Sequence, residues 1–168
     1  MADIHVFFRK SKNREDVYKL LACAVESIFG IQMPKVVKDE NGKPYFPERP
    51  DIHFSLSHSG EYVMCAVSDS PVGADIQKNQ KISEKMQKRV FTENELECAS
   101  ALSLWCLKES FIKLKGKTDR PYNEMEFIRS DNTFCGPDGT FGMVIDEISS
   151  YTAAICANKL EEVKVLML

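Results

Sequence analysis

Weak alternation of apolar and polar residues over positions 4–9 predicts a first strand. Behind Asn13, apolar side chains recur at Val17, Leu20, Leu21, Ala24, Val25 and Ile28, a helical stripe with Asn13 as its cap and Gly30 as its left-handed stop. From there to Arg49 the chain is broken by Pro34, Asn41-Gly42, Pro44 and Pro47, so a long loop is expected. Ile52, Phe54 and Leu56 alternate with polar residues, Ser59-Gly60-Glu61 turns, and residues 62–67 are continuously apolar, which predicts a hairpin with a buried second strand. After the breaker Ser68-Asp69-Ser70-Pro71 comes a short strand with Val72, Ala74 and Ile76 on one face. Asp75 lies on the other face and is expected to look out from the sheet. Residues 82–115 turn helical, with a break at Phe91-Thr92, where Thr92 and Glu95 have the spacing of a capping box. Strands return at 127–128, 141–145, 151–157 and 163–168, with a turn at 135–139. The blocks of strands and helices predict an α+β class with antiparallel sheets packed against helices, and a boundary near residues 68–73.

Composition narrows the function. The 168 residues are 43% hydrophobic and 28% charged, enough for one globular domain or two small fused lobes. With 22 Lys and Arg against 25 acids the net charge is −3, which argues against a non-specific nucleic-acid binder. No run of about 18 apolar residues and no secretory pattern at the N-terminus occur, so a cytoplasmic protein without membrane contact is expected. The six cysteines are widely scattered, without C-x-x-C or a histidine at ligand spacing, which speaks against zinc and for a reducing compartment.

Chemistry concentrates on the helix around residues 104–113. Trp105, Glu109 and Lys113 fall at i, i+4 and i+8 on one face, while Leu104, Leu107, Phe111 and Leu114 build the apolar side. Taken alone, such a Glu–Lys pair is an ordinary surface pair of about 0.3–0.5 kcal/mol. Asp75 adds a second carboxylate, and Asp75 with Glu109 would give Mg²⁺ two hard oxygen ligands while water and substrate phosphates complete the octahedron. His58 in Ser57-His58-Ser59 ends a strand, where it can bond a phosphate, act as a base or be half-buried, and Lys43 sits in a turn. A serine hydrolase built from Ser57, His58 and Asp75 is disfavoured, because adjacent strand residues point to opposite faces and no G-x-S-x-G elbow exists.

These pieces follow one order: Gly42-Lys43-Pro44, Ser57-His58-Ser59, Gly73-Ala74-Asp75-Ile76-Gln77, Phe91-Thr92-Glu93-Asn94-Glu95 and Trp105-Cys106-Leu107-Lys108-Glu109-Ser110-Phe111-Ile112-Lys113. In that order the sequence resembles the 4'-phosphopantetheinyl transferase superfamily, leaning to its larger Sfp-like type with a shortened first lobe. The resemblance implies two small related lobes packed as a pseudo-dimer, residues 1–70 and 71–168, with the active site in the cleft between them, and a monomer. It implies transfer of 4'-phosphopantetheine from coenzyme A to a serine of an apo carrier protein, with release of 3',5'-ADP. By the same resemblance Asp75, Glu109 and position 77 hold Mg²⁺, with Gln77 standing where the family has an acid, so weaker Mg²⁺ affinity is expected. Lys43 and Pro44 of the turn motif, Ser57, His58 and Lys113 would surround coenzyme A. Lys113 would also neutralise the leaving nucleotide. Glu109 is the implied base, directly or through a metal-bound water, and Glu95 a second one. Arg9, Lys10, Lys12 and Arg14 are candidate nucleotide contacts. Carrier proteins are acidic, and Lys78, Lys81, Lys85, Lys88 and Arg89 offer a local basic surface for one. The alternative is a non-catalytic module that binds coenzyme A or a carrier, with Gln77 as a step in losing the metal.

Overall fold

A computed structural model describes residues 3–159 and 162–168. Along these residues run β1 (Asp3–Lys10), α1 (Asp16–Phe29), β2 (Val37–Lys38), β3 (Pro44–Tyr45), β4 (His53–Ser59), β5 (Tyr62–Ser68) and β6 (Val72–Lys78). Helices α2 (Glu84–Val90), α3 (Glu93–Cys98) and α4 (Ala101–Lys115) follow, then β7 (Ile128–Ser130), β8 (Thr133–Cys135), β9 (Phe141–Ile145), β10 (Tyr151–Ala157) and β11 (Glu162–Met167). Among the described residues a four-stranded sheet has the order β11-β1-β5-β4 and a five-stranded sheet the order β6-β10-β9-β8-β7. The fold is α+β and the sheets are antiparallel, apart from the parallel pair β1–β11.

Period-two patterning gives each sheet two apolar faces. The inner faces meet in a shared core of Ile4, Val6, Phe8, Met64, Ala66, Val72, Ala74, Ile76 and Ile155. The outer face of the first sheet, with Phe7, Cys65 and Val67, is covered by the predicted α1 stripe, Leu20, Leu21, Ala24 and Val25. The outer face of the second sheet, with Ala154 and Cys156, is covered by Leu104, Leu107 and Phe111 of α4. Each such fully buried large side chain stabilises the fold by about 1.5–3 kcal/mol. The result is two lobes, each a sheet with one long helix on its outer face. The chain leaves the first sheet for the second between β5 and β6. β11 then crosses back, so the first sheet takes its last strand from the C-terminal part of the chain.

The lobes join along β4 and β6 without a backbone ladder between these two strands. Ser55, Ser57 and Ser59 recur at the strand period, and their hydroxyls accept the N–H groups of Ala74, Ile76 and Lys78 at 2.9, 3.3 and 2.8 Å. A column of serines thus replaces carbonyls as acceptors, satisfying an edge where the Ala74 and Ile76 donors would otherwise be buried and unpaired.

Several local details differ from the sequence pattern. α1 starts at Asp16 with Glu15 at its cap, because Asn13 instead accepts the N–H of Glu15 in a turn one step earlier, at 3.0 Å. The expected loop before Arg49 contains the small β2–β3 pair, folded over Asn41-Gly42 by the Asp39 carboxylate, which accepts the N–H groups of Asn41 and Lys43, both at 2.9 Å. All six cysteines are free. No helix among the described residues is long and apolar enough to cross a membrane.

Candidate active site

The site begins with how closely α4 approaches β6. A Cβ on Gly73 would lie 1.9 Å from the carbonyl oxygen of Ser110 and 2.6 Å from the Leu114 nitrogen, so only glycine lets the helix backbone settle on the strand. The Ser110 hydroxyl fastens the helix by donating to the carbonyls of Cys106 and Ala154 at 2.7 and 2.9 Å. Asp75, two residues on from Gly73, therefore points under α4. It is 3% exposed and does not look out to solvent, correcting the strand-face expectation, because the helix covers the face opposite Val72, Ala74 and Ile76. Its Oδ1 accepts the Lys113 ammonium at 2.8 Å and the Ser57 hydroxyl at 2.9 Å, and its Oδ2 accepts the Gln77 amide at 2.9 Å.

Glu109 stands one helical turn before Lys113. Its Oε1 accepts the hydroxyl of Tyr122, whose ring stacks on Trp105 with centroids 5.2 Å apart and planes 11° from parallel. Burial, followed by the bond to Glu109, pushes the Tyr122 phenol above its usual range, so it remains the donor. Glu109, Gln77 and Trp105 line a cleft of about 540 Å³ together with Met86 and Lys81. A second cleft of about 260 Å³ is lined by Lys43, Pro44 and Leu56 from one lobe and Ile112, Lys113 and Gly116 from the other. Lys113 borders this second cleft and reaches Asp75, whose other oxygen holds the Gln77 amide of the first cleft.

The remaining expected contacts divide between these clefts and the framework. The Lys43 ammonium donates to the carbonyl of Leu114 at 2.7 Å, closing the C-terminal end of α4, and burial lowers its pKa. Ser57 is buried with its hydroxyl shared between the Ile76 N–H and Asp75, so it belongs to the seam between lobes. His58 is exposed on the opposite face of β4. Partial desolvation by its neighbours, then the charges of Arg14 and Lys113, hold its imidazole below the usual histidine range. Of the basic residues near the N-terminus, Lys10 and Lys12 pair with Glu61 at 3.8 and 3.6 Å, and the Arg9 guanidinium meets the Cys23 sulfur at 3.5 Å.

Glu95 is not brought to the clefts. It is fully buried: Oε2 accepts the Thr92 N–H at 2.9 Å and the Lys108 ammonium at 2.8 Å, and Oε1 accepts the Phe127 N–H at 2.9 Å. Every oxygen is engaged and none faces solvent, so the side chain caps α3 rather than meeting a carrier serine. Its partner Lys108, also fully buried, donates to the carbonyls of Val90 and Tyr122 at 2.9 and 2.7 Å, tying α2, α3, α4 and the following turn together. Lys108 stands in the quoted motif without a role there, and the signal for its burial is a lysine inside the apolar stripe of α4. Tyr122 carried none, because its partner Glu109 lies thirteen residues back across a turn.

The family model for the 4'-phosphopantetheinyl transferase superfamily matches residues 71–156, a span that begins at β6 and contains Asp75, Glu109 and Lys113. The chain belongs to the 4'-phosphopantetheinyl transferase superfamily. Similar proteins include a 4'-phosphopantetheinyl transferase of Bacillus subtilis, 35% identical over 146 residues, covering 77% of this chain and 62% of the relative. The 4'-phosphopantetheinyl transferase Sfp of Bacillus subtilis (strain 168) is 36% identical over 127 residues, covering 65% of this chain and 57% of that protein. The 4'-phosphopantetheinyl transferase gsp of Aneurinibacillus migulanus is 42% identical over 90 residues, covering 48% and 37% respectively. This superfamily member thus spans about three fifths of the length of the first two relatives.

The donors available to Mg²⁺ in this superfamily member are two carboxylates and an amide. Asp75 and Glu109 offer carboxylate oxygens, and Gln77 offers an amide that now turns its NH₂ toward Asp75 and would present its oxygen after a half-turn. Among the described residues no three His, Cys, Asp or Glu side chains converge. Two carboxylates, with water and substrate phosphates in the other positions, are the ligand balance that Mg²⁺ commonly takes, so the residues fit such an ion.

Proposed function

We propose that this chain transfers the 4'-phosphopantetheine arm of coenzyme A to a serine hydroxyl of an apo carrier protein, with release of 3',5'-ADP and dependence on Mg²⁺. The observation that carries the reading is the Asp75–Lys113 pair at 2.8 Å, with Glu109 one turn away on the same helix. Lys113 and Lys43 put two positive charges on the cleft of about 260 Å³, which suits the phosphates of coenzyme A. Lys43 spends one N–H on Leu114 and keeps donors for a phosphate oxygen.

On this reading Glu109 Oε2, which carries no hydrogen bond among the described residues, takes the proton of the carrier serine. The serine oxygen bonds to the β-phosphorus of coenzyme A, and the bond from that phosphorus to the 3',5'-ADP oxygen breaks. Lys113 offsets the charge gathering on the departing nucleotide. Asp75, Glu109 and the Gln77 amide oxygen would hold Mg²⁺, which when bound would supply positive charge against the diphosphate. The acidic carrier would approach along α2 and the segment just before it, where Lys81, Lys85, Lys88 and Arg89 are all exposed. Lys85 and Arg89 also border an apolar groove of about 350 Å³ with Met86, Trp105 and Tyr122.

A non-catalytic module is the second reading, favoured by Gln77 in the place of an acid and by the full engagement of Asp75 with Lys113, Ser57 and Gln77. Intact mass spectrometry of apo carrier proteins incubated with the chain, coenzyme A and Mg²⁺ separates the two. A phosphopantetheine mass gain that disappears with Glu109→Ala supports transfer. No gain but calorimetric binding of coenzyme A supports the module, and neither gain nor binding sinks both.

A further inference from the structure

Tyr122 lies outside every motif that led to the site, yet it contacts the helix carrying Glu109 in three ways. Its ring stacks on Trp105, its carbonyl accepts the Lys108 ammonium at 2.7 Å, and its hydroxyl donates to Glu109 Oε1. The three partners occupy positions i, i+3 and i+4 of α4, so one residue of the turn after the helix straddles a single helical turn. Lys108 is in turn fixed by its buried pairing with Glu95.

We infer that Tyr122 is a positioning residue for Glu109, holding one carboxylate oxygen by its hydroxyl so that the other faces the cleft shared with Gln77 and Trp105. This rests on the transferase reading above. A glutamate side chain has several rotatable bonds, and a base that wanders by about 1 Å loses much of its advantage. The Tyr122 hydroxyl restricts that wandering, and the stack and the carbonyl contact restrict the tyrosine. The buried Glu95–Lys108 pair therefore bears on the reaction at one remove, through the tyrosine it anchors, without touching substrate.

Tyr122→Phe tests this in the full chain, because it keeps the ring over Trp105 and the backbone carbonyl on Lys108 while deleting only the hydroxyl. With coenzyme A, Mg²⁺ and an apo carrier modified by the unaltered chain, kcat is expected to fall about tenfold. KM for coenzyme A and carrier should stay within about twofold, and the thermal midpoint within about two degrees. Trp105 is the sole tryptophan, so its emission reports on the stack and should be unchanged in Tyr122→Phe but shifted in Tyr122→Leu. An unaltered kcat in Tyr122→Phe overturns the inference. So does a loss of kcat accompanied by a raised KM or a lowered thermal midpoint, which would assign the residue to packing. If the unaltered chain modifies no carrier at all, the transferase reading has failed and this inference falls with it, a result distinct from an active chain indifferent to the hydroxyl.

Discussion

Ser57 offers the sharpest separation between a ligand-binding and a framework role. Ser57→Ala deletes a hydroxyl that accepts the Ile76 N–H at 3.3 Å and donates to Asp75 Oδ1 at 2.9 Å, in a residue 7% exposed. Leaving a buried N–H without an acceptor costs about 1–3 kcal/mol, and the length of this bond puts it at the low end, about 1 kcal/mol. The bond to the Asp75 carboxylate is charge-assisted and contributes about 1.5–3 kcal/mol. Together the loss is about 3 kcal/mol. Ser55→Ala, one step along the same seam, removes only the acceptor of the Ala74 N–H at 2.9 Å and should cost about 1–2 kcal/mol. Urea unfolding of both variants should therefore rank Ser57→Ala below Ser55→Ala by about 1 kcal/mol or more, with the same slope against denaturant. Calorimetry should find coenzyme A affinity within about threefold of the unaltered chain, because the hydroxyl proton is already given to Asp75. Wild-type stability combined with a tenfold loss of coenzyme A affinity would refute the reasoning and return Ser57 to the phosphate site.

Three further predictions follow from other contacts. Lys108→Met strands the buried Glu95 carboxylate and should destabilise the chain by about 3–5 kcal/mol in urea unfolding, whereas adding Glu95→Gln should recover at least about 1 kcal/mol; equal stability of the single and double variants would contradict the pairing. Gln77→Glu supplies a third carboxylate beside Asp75 and Glu109 and should lower the Mg²⁺ concentration for half-maximal transfer at least about threefold, so an unchanged Mg²⁺ titration counts against Gln77 as a ligand. His58 has a lowered pKa in the free chain, so a phosphate bound beside it would raise that pKa, and coenzyme A binding should tighten as pH falls through the raised value and level off above it. Calorimetry across pH 6–8 should show this slope in the unaltered chain, and an identical slope in His58→Ala would remove histidine from the site.

The regular periods carried most of the architecture, because they depend on neighbours within a few residues. The α1 stripe, the strands β4 to β6 and the capping box of Thr92 and Glu95 all formed where the pattern placed them. Less legible were features set by distant partners. Alternation in β6 separates Asp75 from Val72, Ala74 and Ile76 but is silent on whether a helix covers the second face. The serines of β4 are visible at every second position, but their acceptor role depends on a strand 19 residues away that they meet only in the folded chain. The capping box identified Glu95, yet its burial comes from Lys108 and the Phe127 N–H, again long-range partners. The three-residue β8 is too short to impose a period of its own.

The parallel pairing of β1 with β11 sets a schedule for folding as well as a shape. Asp3 registers with Glu162 and Phe8 with Met167, so β1 finds one neighbour early in chain order, in β5, and the other only once β11 has been made. Contacts so far apart in sequence close slowly, and until they do β1 is an open edge next to half-assembled core. The first lobe thus waits for the second to be made, and the interval during which that edge lies bare is when the nascent chain is most exposed to mispairing with another copy.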